Sequence, residues 1–398
     1  MKRVVISTFI ILALILLGTV IGIFYARGYR FDLKNPKGML QGTGLMVLTS
    51  KPDGARVFIN DHLTTATNNT INLQPGTYTV KIEKDGYFPW SKTVDVKQEV
   101  VSQANATLFP IAPRLESITN TGAANPTIDG TGSFLAYTVS SASAEKNGIY
   151  TLNMTTPSIL TLGGASTQIS NDLIAPFSRS QIQFSPDGNQ LLASLSAGLK
   201  DSTKYLLTAR SFNNSPQDIT ATFPQVMTDW SAQNALKNKK LIDSLPRKIR
   251  AVASPYFANP VLSLDENRIF YTASQSATLP LIIEPRLPGT NSTPEKRTIK
   301  EGDAYVYDIK EDRNYEIYKQ DASNPVKFTW LSDSAHLVFA KNDKINVIEF
   351  DGSNLTTVYA GPFVDSFVFP WPDGSSLIIL TNLNIPTAPN NLYRISLK

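Results

Sequence analysis

Five times after residue 110 the chain returns to one phrase: a few apolar residues, a turn centred on aspartate, then a second apolar run. The copies read TIDGTGSFLAY around Asp129, FSPDGNQLLAS around Asp187, LSLDENRIFYT around Asp265, WLSDSAHLVFA around Asp333 and PWPDGSSLIIL around Asp373. Another apolar strand follows each: GIYTLNM from Gly148, KYLLTARS from Lys204, AYVYDIK from Ala304, INVIEFD from Ile345 and LYRISLK from Leu392. A third often comes next, as ILTLGG from Ile159, NYEIYK from Asn314 and TTVYAG from Thr356. A turn of this kind closes a hairpin, so each repeat predicts one antiparallel sheet. One such sheet cannot bury both faces, and several must stack. A closed ring leaves only short protected edges, which predicts a β-propeller over residues 111–398. Spacings between the aspartates are 58, 78, 68 and 40 residues, where an uninterrupted blade needs about 40–50. Five blades with insertions fit, and so do six or seven with unreadable members.

Ahead of the repeats, residues 44–110 show period-two alternation broken by turns. Met46, Leu48 and Ser50 alternate with Leu45, Val47 and Thr49; Val57 pairs with Ile59, Tyr78 with Val80 and Ile82, and Val94 with Val96. Pro52-Asp53-Gly54, Gln74-Pro75-Gly76 and Lys84-Asp85-Gly86 supply the turns. The pattern predicts a small antiparallel β-sandwich. Further upstream, Val4 to Tyr25 is an uncharged run of 22 residues. At about 1.5 Å per residue it makes roughly 33 Å of helix, enough to cross a hydrocarbon core of about 30 Å. A cleaved secretory signal has a shorter apolar stretch and a small-x-small cleavage site, whereas Phe24 and Tyr25 precede Ala26 here. The run therefore reads as a retained signal anchor over residues 1–30, with a linker over 31–43. Positive charge flanks both sides, with Lys2 and Arg3 before it and Arg27, Arg30, Lys34 and Lys37 after it. Translocating a three-residue tail while a large body stays inside would be unusual. The expected topology is single-pass in the cell membrane with an extracytoplasmic body.

Two resemblances sharpen this reading. SKPDGARVFIND followed by LQPGTYTVKIEKDGYFPW resembles the PEGA domain. Its name-giving turn is Pro52, Asp53, Gly54 and Ala55 here, with aspartate in place of glutamate. Leu73, Pro75, Gly76 and Tyr78 match its Leu-x-Pro-Gly-x-Tyr element, and Gly86-Tyr87 its Gly-Tyr pair. The resemblance implies a carrier-like β-sandwich on envelope proteins, without catalysis. The repeat phrase resembles the WD40-like repeat of TolB-type propellers. Phe184, Ser185, Pro186, Asp187 and Gly188 match it fully, and Trp371, Pro372, Asp373 and Gly374 in part.

Two stretches interrupt the repeats. Residues 229–252 have helical composition, with Thr228 or Asp229 as a cap, an apolar face of Ala235, Leu236, Leu241, Ile242 and Leu245, and a stop at Pro246. The segment carries Lys237, Lys239, Lys240, Arg247, Lys248 and Arg250, with Asp243 among them. It reads either as a docking surface for anionic lipid or polymer or, preferred here, as a solvated helix over a blade edge. Leu279 to Glu301 holds Pro280, Pro285, Pro288 and Pro294 and no periodicity, a long loop between two strands of one blade.

Several chemistries are excluded. The chain has no cysteine and two isolated histidines, which removes thiolate chemistry and multi-histidine metal sites. No Gly-x-Ser-x-Gly elbow or phosphate loop occurs. Beyond residue 37 there are 31 basic and 32 acidic residues, which is no nucleic-acid footprint. His62 and His336 both read as surface turn residues, and the five recurring aspartates as turn formers. The expectation is an all-β body, a PEGA-like sandwich plus a propeller of about 5–7 blades, behind one transmembrane helix. It would act in non-catalytic binding or scaffolding, with no catalytic, metal or cofactor-binding residues and no cofactor. Its partners would be the membrane and an envelope protein or cell-wall polymer. The alternative is a propeller hydrolase or lyase acting on polysaccharide or peptide through channel carboxylates, 32 acids being available for such a pair.

Overall fold

The computed structural model describes residues 2–26, 30–31, 40–155, 166–197, 200–364 and 367–398. They fall into two compact units: residues 1–109 with 283–294, and residues 110–282 with 295–398.

The first unit begins with helix α1 (Lys2–Ala26), whose stretch Ile6–Tyr25 is apolar, exposed throughout and long enough to cross a membrane. A short pair, β1 (Arg30–Phe31) with β2 (Leu40–Gln41), spans the expected linker. The sandwich follows with β3 (Gly44–Lys51), β4 (Arg56–Ile59), β5 (His62–Ala66), β6 (Asn69–Leu73), β7 (Gly76–Glu83), β8 (Trp90–Val96) and β9 (Val101–Thr107). One sheet has the order β5-β4-β7-β8 and the other β6-β3-β9. Met46, Leu48, Val57, Val80, Ile82, Trp90 and Val94 fill the space between them, the alternation read from sequence. The expected wholly antiparallel arrangement needs correction, because β3 and β9 run parallel, Leu45 opposite Val101. After β8 the chain leaves one sheet and enters the other, so its direction in the second sheet is not set by a hairpin.

Turn chemistry explains the quoted motif. Gly54 has φ +67° and Gly86 φ +84°, conformations that favour glycine. Lys84 Nζ donates to the Asp53 carbonyl at 2.8 Å, and Arg56 pairs with Asp85 at 2.8 Å. Ala55 is fully buried, and its N–H donates to Thr67 Oγ1. Tyr78 Oη donates to the Gln74 carbonyl at 2.9 Å and so braces the Leu-x-Pro-Gly turn. His62 is exposed, as expected, although it opens strand β5 rather than lying in a loop. Residues 283–294 complete this unit. The Asp95 N–H donates to Ser292 Oγ at 2.9 Å, and Gly289, at φ +69°, lies against the Val101 carbonyl.

The second unit opens with β10 (Leu115–Ser117) and continues as four-stranded antiparallel meanders. Blade 1 is β11 (Ala124–Ile128), β12 (Phe134–Val139), β13 (Gly148–Asn153) and β14 (Ser166–Asn171). Blade 2 is β15 (Gln181–Phe184), β16 (Gln190–Ala197), β17 (Lys200–Thr208) and β18 (Gln217–Asp218). Helices α2 (Phe223–Ser244) and α3 (Arg247–Tyr256) come next. Blade 3 is β19 (Phe257–Leu262), β20 (Arg268–Ala273), β23 (Ala304–Asp308) and β24 (Arg313–Tyr318). Between its second and third strands, β21 (Ala277–Thr278) pairs with β22 (Thr298–Ile299). Blade 4 is β25 (Thr329–Trp330), β26 (His336–Lys341), β27 (Lys344–Glu349) and β28 (Thr356–Tyr359). In blade 5, β29 (Val368–Pro370), β30 (Ser376–Thr381) and β31 (Asn391–Ser396) take β10 as their outer strand, Leu115 opposite Ile395. The two ends of the unit are thus joined in one sheet. The blade number is five among the described residues. The expected strand at Ile159 lies outside them, and the outer strand of blade 1 begins at Ser166.

Blades meet through apolar faces. Leu135, Tyr137 and Leu152 of blade 1 pack with Ile378, Leu380 and Leu392 of blade 5. The opposite face of blade 1, Ala136 and Ile149, packs on Leu191, Ala193 and Leu207 of blade 2. Val306 and Tyr315 of blade 3 meet Leu337 and Phe339 of blade 4. Backbone approach is tight at Gly148, which has φ +138° and where an added Cβ would stand 2.1 Å from the Ser170 carbonyl. Gly148→Ala is therefore expected to cost about 1–3 kcal/mol and to raise amide exchange along β13 and β14. Unchanged exchange there would contradict the clash.

Candidate binding surface

Each repeat aspartate is spent on its own turn. Asp129 Oδ1 accepts from the Ser133 and Phe134 N–H groups at 2.8 and 2.9 Å, and Oδ2 from Thr131 Oγ1 at 2.6 Å. Asp187 Oδ1 accepts from Ser185 Oγ at 2.5 Å and the Asn189 N–H at 3.1 Å. Asp265 accepts from Ser263 Oγ at 2.6 Å, and Asp373 from the Ser375 N–H at 2.8 Å. The Ser185 hydroxyl, with Asn189, holds Asp187 below the usual carboxylate range. Burial works against the charge on Asp265, yet Ser263, Asn267 and Arg268 outweigh it and the pKa is lowered. Carboxylates satisfied in this way are acceptors already in use, and the lowered pKa of Asp187 and Asp265 keeps those two ionised, which fits turn formation. Neighbouring turns also touch, for the Asp265 N–H donates to Ser334 Oγ at 3.0 Å.

His336 is not a surface residue, contrary to the sequence reading. It is 4% exposed, and its Nδ1 lies 2.7 Å from Asp333 Oδ2. As the first residue of β26 it sits opposite Glu349, the last of β27. Burial opposes charge on the imidazole, yet Asp333, Glu349 and Asp351 prevail and raise its pKa. Arg268 takes the same place in blade 3, opposite Asp308, with Nε 3.1 Å from Asp308 Oδ2. Its guanidinium also lies 3.7 Å from the centre of the Phe350 ring.

A third polar group secures the blade 3 insertion. Asp312 is fully buried, with φ +52°. Its Oδ1 accepts from Tyr307 Oη at 2.5 Å and Arg297 Nη2 at 2.8 Å, and its Oδ2 from the Ile282 N–H at 2.7 Å. Tyr271 Oη donates to Asn314 Oδ1 at 2.8 Å, and Asn314 Nδ2 donates to the Lys296 carbonyl. Burial drives the Tyr271 and Tyr307 hydroxyls well above the usual phenol pKa, so both remain donors. All these groups face one another inside the fold, and their arrangement is structural.

The helical insertion presents the most distinctive surface. The expected single helix over 229–252 is instead α2, starting six residues earlier, followed by α3. Pro224 starts α2, because proline is accepted in a first turn. Thr228 and Asp229 lie inside it, where Thr228 Oγ1 bonds back to the Pro224 carbonyl and Asp229 accepts from Gln225. Pro246 ends α2 but stands at the N-cap of α3. Trp230 packs on Leu192 and Ile219 of blade 2. Leu245, Ile249 and Val252 pack on Ile269, Tyr271 and Tyr305 of blade 3. The pair thus lines the faces of both blades, and residues 231–240 between these contacts are all exposed. Lys237 reaches back to blade 1, for a methyl group built on Gly130 would come 3.2 Å from its Nζ. Arg250 donates to the Asp243 and Leu245 carbonyls and so caps the end of α2.

Residues 43–111 match the PEGA domain family. Solved structures similar to the chain include "putative TolB from Agrobacterium tumefaciens", at 12% identity over 70% of this chain and 74% of that one, TM-score 0.22. TolB from Acinetobacter baumannii matches at 10% identity over 80% of this chain and 59% of its own, TM-score 0.23. The Cps50 (Swd1) β-propeller domain of Myceliophteria thermophila matches at 9% identity over 72% of this chain and all of its own, TM-score 0.28. No curated protein matches the sequence.

Proposed function

We propose that this chain, which carries a PEGA domain over residues 43–111, is a membrane-anchored envelope protein whose sandwich and propeller act in binding and scaffolding, without catalysis, on the extracytoplasmic side. The observation that carries the reading is α1. Phe9, Leu12, Leu14, Ile15, Leu16 and Tyr25 are each 60% or more exposed on a helix with no acid or base between Ile6 and Tyr25. Burying one such side chain is worth about 1.5–3 kcal/mol, and no surface of the described residues covers this helix. A hydrocarbon core supplies that cover. The binding role is supported by the commitment of the repeat aspartates to their turns and by the burial of His336 against Asp333.

The reading is tested by extraction and protease protection, with an epitope tag after Lys398. The expected result is a chain that stays with membranes until detergent is added and a tag that is lost when protease is applied to spheroplasts. A tag protected until lysis would put the body in the cytoplasm. Recovery in the soluble fraction without detergent would remove the anchor.

A further inference from the structure

We infer that the exposed middle of α2 is a docking site for a flexible, linear, phosphate-bearing polymer. This deepens the binding role proposed above and rests on it, by naming the chemistry of a partner.

The argument starts from a local energetic conflict. Most helical stability in a protein comes from packing an apolar face, yet the ten residues 231–240 are exposed on every side of α2. Lys237, Lys239 and Lys240 lie within one turn, and Lys237 and Lys240 are like charges at i,i+3, which is destabilising. Arg247 and Lys248 fall in the first turn of α3, where the helix dipole disfavours cations. Among the described residues none of these five makes an ion pair. An anion laid along α2 relieves the repulsion among Lys237, Lys239 and Lys240.

Charge and shape then select the partner. Residues 229–252 hold six of the 31 basic residues and two of the 32 acidic residues beyond residue 37. The rest of the body is left with 25 against 30, a net −5, so an excess of cationic charge is concentrated on this segment. A membrane-surface helix needs a large apolar face with aromatic or leucine residues. Here Ala232, Ala235 and Leu236 make a small strip that Lys239 interrupts. A thin strand following about 15 Å of helix meets these cations without needing an apolar face.

The full chain in zwitterionic nanodiscs, titrated with inorganic polyphosphate, tests the inference. Binding that weakens as salt rises is expected, together with slowed amide exchange over residues 231–240. The triple variant Lys237→Gln, Lys239→Gln, Lys240→Gln should bind about tenfold more weakly, about 1.4 kcal/mol, with a thermal midpoint no lower than that of wild type. Equal affinity of the triple variant, or no change in exchange over 231–240, overturns the proposal. So does tighter binding to phosphatidylglycerol vesicles or to duplex DNA than to polyphosphate. Protease protection reads placement and this titration reads α2, so a chain that faces outward yet ignores polyphosphate fails here alone.

Discussion

Asp312→Ala is expected to lower the stability of the propeller by about 3 kcal/mol, the lower end of the range seen when one partner of a buried ion pair is removed. Asp312 is 0% exposed and receives Arg297, Tyr307 and the Ile282 N–H. Its loss leaves the buried Tyr307 phenol without its acceptor and removes one of two carboxylates from a guanidinium that is 12% exposed, Glu295 staying 3.0 Å from its Nε. Alanine also fits poorly at φ +52°, whereas asparagine tolerates that backbone and keeps an acceptor. Asp312→Asn should therefore fall between wild type and alanine, although it lacks the charge that offsets Arg297. Calorimetry of the three proteins checks the order. At about 2–4 °C per kcal/mol for units of this size, the alanine variant should melt roughly 10 °C earlier. An alanine variant within 2 °C of wild type would mean that Glu295, already 3.0 Å from Arg297 Nε, suffices to offset the guanidinium.

His336 gives the second large effect and a pH signature. Removing a buried cation beside Asp333, Glu349 and Asp351 should cost about 3 kcal/mol, the lower end of the range for buried pairs, because the Asp333 side chain is 32% exposed. The folded pKa of His336 is raised above its ordinary value of 6.5. The folded state therefore holds its proton more tightly than the unfolded chain. Its stabilisation is complete below about pH 6.5 and is lost as pH rises through the folded pKa. Asp333 works in the opposite direction. Burial opposes its charge, but His336 and nearby N–H groups lower its pKa. Its contribution is present above about pH 4 and is lost as pH falls. The His336–Asp333 contact should be worth most between these limits. Urea unfolding of wild type and His336→Ala at pH 5.5 and pH 9 checks the sign, with the larger gap expected at pH 5.5. A larger gap at pH 9 would show that the folded pKa is depressed.

The His336 group was legible in sequence only in part, for a geometric reason. RIFYT precedes AYVYD, and HLVFA precedes INVIE, so each hairpin opens on a cation and closes on an acid. Antiparallel register makes those two positions opposite, Arg268 with Asp308 and His336 with Glu349. That signal could have placed His336 inside. It was masked because the same position is Gln190 in blade 2 and Ser376 in blade 5, where no charge pair forms. The Asp312 group had no local signal at all. Arg297 lies fifteen residues before Asp312 and Tyr307 five before it, and the excursion of the chain between β20 and β23 decides that they meet.

Short-range periodicity and turn chemistry make three features readable from residue order: the apolar run of α1, the alternating strands of the sandwich and the hairpins of the five aspartate turns. These depend on residues a few positions apart, so local geometry fixes them. Tertiary structure alone decided the parallel pairing of β3 with β9, the sharing of one blade between β10 and β31, and the start of α2 at Phe223. It also decided which cations are spent inside the fold, as Arg268 and His336 are, and which, as on α2, remain for a partner. Pairing over tens to hundreds of residues is selected by burial and by matching polar groups once the blades pack. A linear reading of residue types does not carry that information.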